Sequence, residues 1–327
     1  MAKLKVYVTR RIPEAGLKKL QGLFDVKVHE GQMPPTREEL LANVKGVDGL
    51  LCLLTDKIDG EVMDAAGKQL KVVSNYAVGF NNIDVKAASE RGILVTNTPG
   101  VLTETTADLA WALLMAIARR IVEADKYLRA GKWKTWEPQL LLGTDIHGKT
   151  LGVIGMGRIG TAVARRAKGF NMKILATSPE SDRKNAEEVG AELVPLERLL
   201  RESDFITVHV PLMPETTKMM GEKQFAMMKP TAYLINDARG EIVDEKALAK
   251  ALKEKRIAGA ALDVYEKEPI GADNPLIGLD NVVLVPHIGS ASRETRDKMA
   301  DMAAENLITA LQGKPVPNPV NPEVLKK

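Results

Sequence analysis

Several things are scarce in this sequence, and each scarcity narrows what the protein can be. Cysteine occurs once, at Cys52, so no disulfide can close within the chain, and a lone thiol fits a reducing compartment. Charge of one sign is not in excess. The formal net charge is +3, with both signs interspersed and no Lys/Arg block, which gives no reason to expect nucleic acid or an anionic membrane as a partner. Long apolar runs are missing too. The longest, near Leu113 to Ala118, is closed by Arg119 and Arg120, and the opening M-A-K-L-K-V-Y-V-T-R is too short a run for a signal peptide. A cytoplasmic enzyme is therefore expected. Internal repeats and low-complexity segments are lacking, and no metal-ligand cluster stands out. Histidine is scarce as well: only four are present, so chemistry that needs an imidazole has few places to be.

What the chain does have is room and alternation. At 327 residues it is long enough for two ordinary domains. Strand-like stretches at 3–9, 24–28, 49–54, 72–74 and 93–96 alternate with helix-like stretches at 13–23, 36–44, 61–66 and 84–91. That pattern predicts a parallel sheet with crossover helices. T-N-T-P-G (96–100) reads as a strand end with a turn and a plausible domain junction. A single long helix is expected over roughly Leu102 to Arg129. Alternation then resumes, with strands predicted at 151–154, 173–177, 205–210, 232–236, 258–264 and 282–286. A last helix, roughly Ser292 to Gln312, is expected to return to the first domain. The fold class that follows is α/β, two doubly wound parallel-sheet domains. One is discontinuous (1–99 plus 289–327) and the other spans 100–288.

Only the second domain carries a glycine fingerprint. K-T-L-G-V-I-G-M-G-R-I-G (149–160) sets Gly155, Gly157 and Gly160 at the spacing G-x-G-x-x-G, with an apolar strand before them and the helix-like T-A-V-A-R-R-A after. The first glycine permits the tight turn and the second lets a pyrophosphate approach the backbone. The third lets helix and strand pack closely, and the diphosphate rests on the helix N-terminus.

A dinucleotide domain implies hydride transfer, and hydride transfer to a carbonyl needs a proton donor titrating near neutrality. Histidine is the usual choice. His29 lies at a surface-like strand exit and His147 in a turn before the nucleotide strand, so both read as structural. His209 and His287 follow strand ends, where ligands bind in open α/β sheets, and both survive. His287 alone has candidate acidic partners nearby in sequence, Glu266 and Glu268 in E-K-E-P, either of which could orient its imidazole. Arg239, in N-D-A-R-G-E after another predicted strand, offers a planar fork matched to a carboxylate.

The set N-T-P-G-V-L-T-E-T-T-A-D-L-A, G-M-G-R-I-G, N-D-A-R-G-E-I-V-D-E, G-A-A-L-D-V-Y-E-K-E-P and P-H-I-G-S resembles the D-2-hydroxyacid dehydrogenase family, in order and over essentially the whole chain. Within it, L-L-C-L-L-T-D, N-Y-A-V-G-F-N-N-I-D and W-K-T-W-E-P resemble the glyoxylate/hydroxypyruvate reductase branch. The resemblance implies a Rossmann dinucleotide-binding domain and a flavodoxin-like substrate domain, and reduction of a small 2-oxo acid. It also implies that Glu268, directly before proline, partners His287 as acid/base, with Arg239 gripping the substrate carboxylate and carbonyl oxygen. Val78 and Gly79 would bind that carboxylate through backbone N–H groups, and Leu53 would line a small side-chain pocket. Thr106, Arg158, Ile159, Val210, Pro211, Thr216, Ala238, Asp263 and Gly289 would border the cofactor, Asp263 at the nicotinamide carboxamide. Trp136 resembles a residue that reaches the neighbouring active site in family dimers, so a homodimer is expected.

The sequence also bears on which dinucleotide is used. An acid after the second strand of the fold would bind the ribose 2′-hydroxyl. Here Ser178 stands at that point, with Arg183 and Lys184 just beyond, and these favour NADP(H) with NAD(H) tolerated. Pro179 stands where NADPH-preferring members carry arginine, and Glu180 would repel a phosphate. Two alternatives share the scaffold: phosphite dehydrogenases, which place lysine where Val78 stands, and non-enzymatic transcriptional corepressors.

Overall fold

The structure, a computed structural model, describes residues 3–326; Met1, Ala2 and Lys327, which the expected first domain includes, lie outside the described residues. The chain divides into two compact units, Met1–Leu102 with Ala291–Lys327, and Thr103–Ser290.

The first unit alternates strand and helix throughout: β1 (Lys5–Val8), α1 (Glu14–Leu23), β2 (Asp25–Val28), α2 (Arg37–Asn43), β3 (Gly49–Cys52), α3 (Gly60–Ala66), β4 (Val72–Asn75), α4 (Val85–Glu90) and β5 (Leu94–Thr96). All five strands are parallel, in the order β2-β1-β3-β4-β5, the flavodoxin-like doubly wound order. Side chains alternate across the strands as the pleat requires. Val6 and Val8 join one core with Leu51, Val72 and Leu94, while Tyr7 joins the other with Leu50, Val73 and Val95. Helix starts follow local chemistry: Thr36 and Glu39 form a reciprocal capping box on α2, and Asp59 and Asp84 cap α3 and α4.

The second unit opens with α5 (Thr103–Ala118) and α6 (Ile121–Arg129). The expectation of one helix across 102–129 is corrected here. Arg120 adopts a left-handed backbone, φ 54°, and ends the first helix, while its guanidinium holds Glu123 at 2.7 and 2.8 Å across the new N-terminus. The two pieces also differ in environment: α5 buries Trp111, Leu113, Leu114 and Ile117, and α6 buries nothing.

There follow β6 (Thr150–Ile154), α7 (Arg158–Ala167), β7 (Lys173–Thr177), α8 (Arg183–Val189), β8 (Glu192–Leu193), α9 (Leu196–Glu202), β9 (Phe205–Val208), α10 (Glu222–Met227), β10 (Tyr233–Asn236), α11 (Glu245–Lys253), β11 (Gly259–Leu262) and β12 (Val282–Leu284). Two-residue β8 at the sheet edge is an element the sequence pattern does not announce. The sheet runs β12-β11-β10-β9-β6-β7-β8, all parallel. Counted within the unit this is the Rossmann order 3-2-1-4-5-6 with a seventh strand beyond the sixth. Finally α12 (Arg293–Leu311), capped by Ser292, packs within the first unit, where Met299, Ala303 and Leu307 join the β1 core. Among the described residues no helix is long and apolar enough to cross a membrane.

Candidate active site

The carboxyl ends of the second sheet gather most of the chemistry. At the end of β6, Gly155 has φ 97°, a conformation that disfavours any side chain, and a Cβ there would press within 2.8 Å of the His209 carbonyl and Val210 Cγ1. The glycine turn therefore lies directly against Val210, with Pro211 next in the chain. A Cβ on Gly160 would sit 1.9 Å from the Gly155 carbonyl oxygen, so α7 touches the turn backbone to backbone. Gly157 faces open space and starts α7 with no side-chain cap. Uncapped N–H groups at a helix start, next to a cradle a side chain would fill, suit a diphosphate. Arg158 is exposed at that start, while Ile159 leans on the core. The Thr216 hydroxyl donates to the Pro211 carbonyl at 2.6 Å and accepts the Met213 N–H at 2.8 Å, closing the loop beyond β9.

Three further strand ends present titratable groups. Beyond β10, Asn236 clamps the loop that carries Arg239: its amide donates to the Arg239 carbonyl at 3.0 Å and its oxygen accepts the Ala238 N–H at 3.1 Å. A Cβ on Gly240 would collide with the Tyr265 backbone at 1.9 Å, which seats this loop against the one leading to Glu268. The Arg239 guanidinium donates to the Ala238 carbonyl at 2.7 Å. Burial draws its proton affinity below the ordinary arginine range, against the opposing charges of Glu268 and Glu241. Arginine keeps its charge under such a pull, so this half-buried side chain stays a cation.

Beyond β11, Asp263 accepts the Ile288 N–H at 2.6 Å on one oxygen and the Gly289 N–H at 2.7 Å on the other. Burial pushes its carboxyl up to about 6, although those two bonds and His287 pull the other way. The turn it organises holds His287, which has φ 52°, an unusual conformation for a side-chain-bearing residue, and whose N–H donates to the Asp263 carbonyl at 2.9 Å. Thr106, at the start of α5, is the neighbour of Gly289: a Cβ on that glycine would lie 3.4 Å from the Thr106 methyl.

His287 Nδ1 lies 2.7 Å from Glu268 Oε2, and the other Glu268 oxygen accepts the Tyr265 N–H at 3.1 Å. Burial raises the Glu268 carboxyl, but the hydrogen bond to His287 and the charges of His287 and Arg239 outweigh it and hold the group below its ordinary range. Glu266, the other acid left open by the spacing, is used elsewhere. It accepts the Glu245 N–H at 3.0 Å while its own N–H donates to the Glu245 carboxylate, a clasp at the start of α11.

His209, the other surviving histidine, is a structural residue. It is wholly buried, its Nε2 lies 2.7 Å from the Thr207 hydroxyl, and burial pulls its pKa down to about 3. Its Nδ1 lies 3.3 Å from Asp237 Oδ1, yet neither Asp237 oxygen gains an aligned hydrogen bond among the described residues. Burial, reinforced by Asp263, raises the Asp237 carboxyl far above its usual range. A neutral acid beside a neutral imidazole is the arrangement these shifts describe.

On the first unit, Leu53, Val78 and Gly79 are tied together by residues that sequence reasoning left unassigned. Asn82 donates to the Leu53 carbonyl at 3.0 Å and the Asp56 carbonyl at 3.2 Å, and Asn75 donates to the Gly79 carbonyl at 2.8 Å and to Asn82 Oδ1 at 3.1 Å. Asn97 takes the Val78 carbonyl at 2.7 Å, and no partner is found among the described residues for the N–H of Val78 or Gly79. Asn75 and Asn82 both lie in N-Y-A-V-G-F-N-N, where the recurrence of asparagine is the one signal in the sequence for these ties. Trp136 is 78% exposed and has no hydrogen bond to another site residue among the described residues. Ser178, expected to be open to a phosphate, accepts the Met156 N–H at 2.9 Å and donates to Asp182.

Against known proteins, residues 111–289 match the model of the D-isomer specific 2-hydroxyacid dehydrogenase, NAD binding domain. A glyoxylate reductase from Korarchaeum cryptofilum is 58% identical over 325 residues, covering 99% of this chain and 98% of that one. Of solved structures, a protein from Thermus thermophilus aligns with a TM-score of 0.92 at 47% identity, covering 97% of this chain and 100% of the other. An NADPH-dependent glyoxylate/hydroxypyruvate reductase from Sinorhizobium meliloti, in complex with NADP and malonate, aligns at 0.85 with 34% identity, covering 98% and 97%. The chain belongs to the D-isomer-specific 2-hydroxyacid dehydrogenase family and groups with its glyoxylate reductases. It is an oxidoreductase acting on a CH–OH group, built from a Rossmann domain and a substrate-binding domain.

Proposed function

We propose that this enzyme reduces a short 2-oxo acid, glyoxylate or hydroxypyruvate, to the 2-hydroxy acid, of D configuration where the product is chiral. The observation that carries the reading is the Glu268–His287 pair, 2.7 Å apart, within electrostatic reach of the half-buried Arg239. A nicotinamide dinucleotide bound at the glycine turn would supply the hydride. Arg239 binds the substrate carboxylate and carbonyl oxygen through its planar fork, fixing the keto group for attack. His287, with Nδ1 on Glu268, offers Nε2 to the carbonyl oxygen and delivers the proton as negative charge develops there. Glu268 holds the ring in that orientation and stabilises the imidazolium before transfer.

To the first unit the proposal assigns a second grip on the carboxylate, through the Val78 and Gly79 N–H groups, and a small pocket floored by Leu53. The dinucleotide would run past Thr106, Gly155, Gly157, Arg158, Ile159, Gly160, Ser178, Val210, Pro211, Thr216, Ala238 and Gly289. Asp263 keeps free lone pairs on both oxygens for a carboxamide N–H₂. NADP(H), favoured by the sequence, and NAD(H) both fall within the reading.

The working form is a homodimer. Ile121, Leu128, Trp133, Trp136 and Leu142, all on α6 and the segment after it, are each more than half exposed, an apolar surface that a second copy would cover. Trp136 would be contributed to the partner copy.

An initial-rate matrix of glyoxylate, hydroxypyruvate, larger 2-oxo acids and phosphite against NADH and NADPH tests the reaction. Turnover of the two short oxo acids above the rest supports it. Phosphite-dependent reduction of the oxidised dinucleotide would move the protein to phosphite oxidation, and binding with no turnover would favour the corepressor.

A further inference from the structure

We infer that Asp182 selects the dinucleotide, taking the place of the acid missing directly after β7 and making NAD(H) the preferred form. This rests on the dinucleotide reading of the second unit. At Ser178 the hydroxyl oxygen accepts the Met156 N–H at 2.9 Å, and its proton goes to Asp182 Oδ2 at 2.5 Å. A serine hydroxyl has one proton, so Ser178 has none left for a phosphate oxygen, and the Met156 amide is spent as well. Met156 stands between Gly155 and Gly157, so a single hydroxyl links the Asp182 carboxylate to the diphosphate turn. In this fold the adenosine ribose lies by the end of the second strand, beside that turn.

The remaining Asp182 oxygen, Oδ1, has no hydrogen bond among the described residues, and the residue is only half-buried. A carboxylate there accepts from a ribose 2′-hydroxyl and repels a 2′-phosphate. Of the cations that follow Asp182 in the chain, one is paired and one is turned to solvent. Glu180 clasps Arg183 through both oxygens, and Lys184 is exposed on α8. Asp182 lies four positions after Ser178, and the short turn at 180–182 folds the acid back onto the serine. The strand-end position alone therefore misleads about charge.

Equilibrium titrations of the full-length protein with NADH and NADPH, read by cofactor fluorescence and requiring no turnover, test the assignment. Wild type is expected to bind NADH about 100-fold more tightly, the combined effect of one charge-assisted hydrogen bond and one like-charge contact. Asp182→Asn and Asp182→Ser should bring the two affinities to within about 5-fold of each other, mainly by tightening NADPH. Thermal melting establishes that each variant is folded, and Asp182→Ser keeps a small polar group beside Ser178 should Asp182→Asn fold poorly. Equal or tighter NADPH binding by wild type would overturn the inference, and so would a ratio unchanged in both variants. Loss of 2-oxo-acid turnover alongside the expected binding ratios would refute the proposed reaction and leave the role of Asp182 standing.

Discussion

Replacing Glu268 by glutamine separates its charge from its shape. The side chain makes two contacts: Oε2 to His287 Nδ1 at 2.7 Å, and Oε1 accepting the Tyr265 N–H at 3.1 Å. Glutamine can keep the second through its amide oxygen and then presents an N–H₂ group to the imidazole. A hydrogen bond to a charged partner contributes about 1.5–3 kcal/mol, and this one is made in full only when His287 carries the proton it donates. The loss corresponds to a fall in kcat/KM of about 10- to 150-fold, with most of the fall in kcat. The dinucleotide sites named above do not include Glu268, so NADH and NADPH affinities measured by fluorescence should stay within a factor of about 3. Steady-state rates of glyoxylate reduction, beside those titrations, provide the assay. A Glu268→Gln variant with unchanged kcat/KM would refute the coupling of this carboxylate to proton transfer.

Three other outcomes follow from named contacts. Asn236→Ala removes both clamps on the Arg239 loop and should lower kcat/KM for the oxo acid by about 10- to 100-fold, with little change in dinucleotide affinity. Asp237→Val removes a buried carboxyl whose two oxygens find no hydrogen bond among the described residues, and should stabilise the protein by about 1–3 kcal/mol near neutral pH, read as a higher Tm. His209 has a folded-state pKa near 3, below its ordinary 6.5, so the stability it contributes is fully present above pH 6.5 and is lost as pH falls toward 3. That loss is up to about 1.4 kcal/mol per pH unit and should disappear in His209→Gln, as chemical denaturation at pH 4 and pH 7 would reveal.

The readable parts of this protein were those where one residue's covalent nature answers one local demand. Gly155 needs positive φ and Gly160 admits a backbone carbonyl at contact distance, so the fingerprint could be read from its spacing between an apolar strand and a helix-like stretch. Strand alternation likewise gave both sheets, because parallel strands buried on two faces show as apolar runs between helical stretches. His287 could be reached by elimination since only four histidines compete, although Glu266 and Glu268 could not be separated by spacing. The clasp between Glu266 and Glu245 depends on where α11 starts, which is tertiary information.

Other features were hidden for similar reasons. The break is made by an unusual backbone conformation at Arg120, the second of two adjacent arginines, a good helix former by type. Two-residue β8 is too short to carry a period. The asparagines at 75, 82 and 236 work through main-chain carbonyls and amides that any residue could supply, so no side-chain pattern announces their partners. Ser178 is the instructive case: its identity suggested an open phosphate site, while its hydrogen bonds show a hydroxyl already occupied.

The central claim is that one imidazole, held by Glu268, supplies the proton to a substrate gripped by Arg239. The most direct measurement is glyoxylate reduction by His287→Ala, with NADH and NADPH affinities determined on the same preparation. The account predicts that kcat falls by about 100- to 10,000-fold, the usual contribution of a positioned acid, while dinucleotide affinity is retained within about 5-fold. Retained dinucleotide binding with undiminished turnover would contradict it.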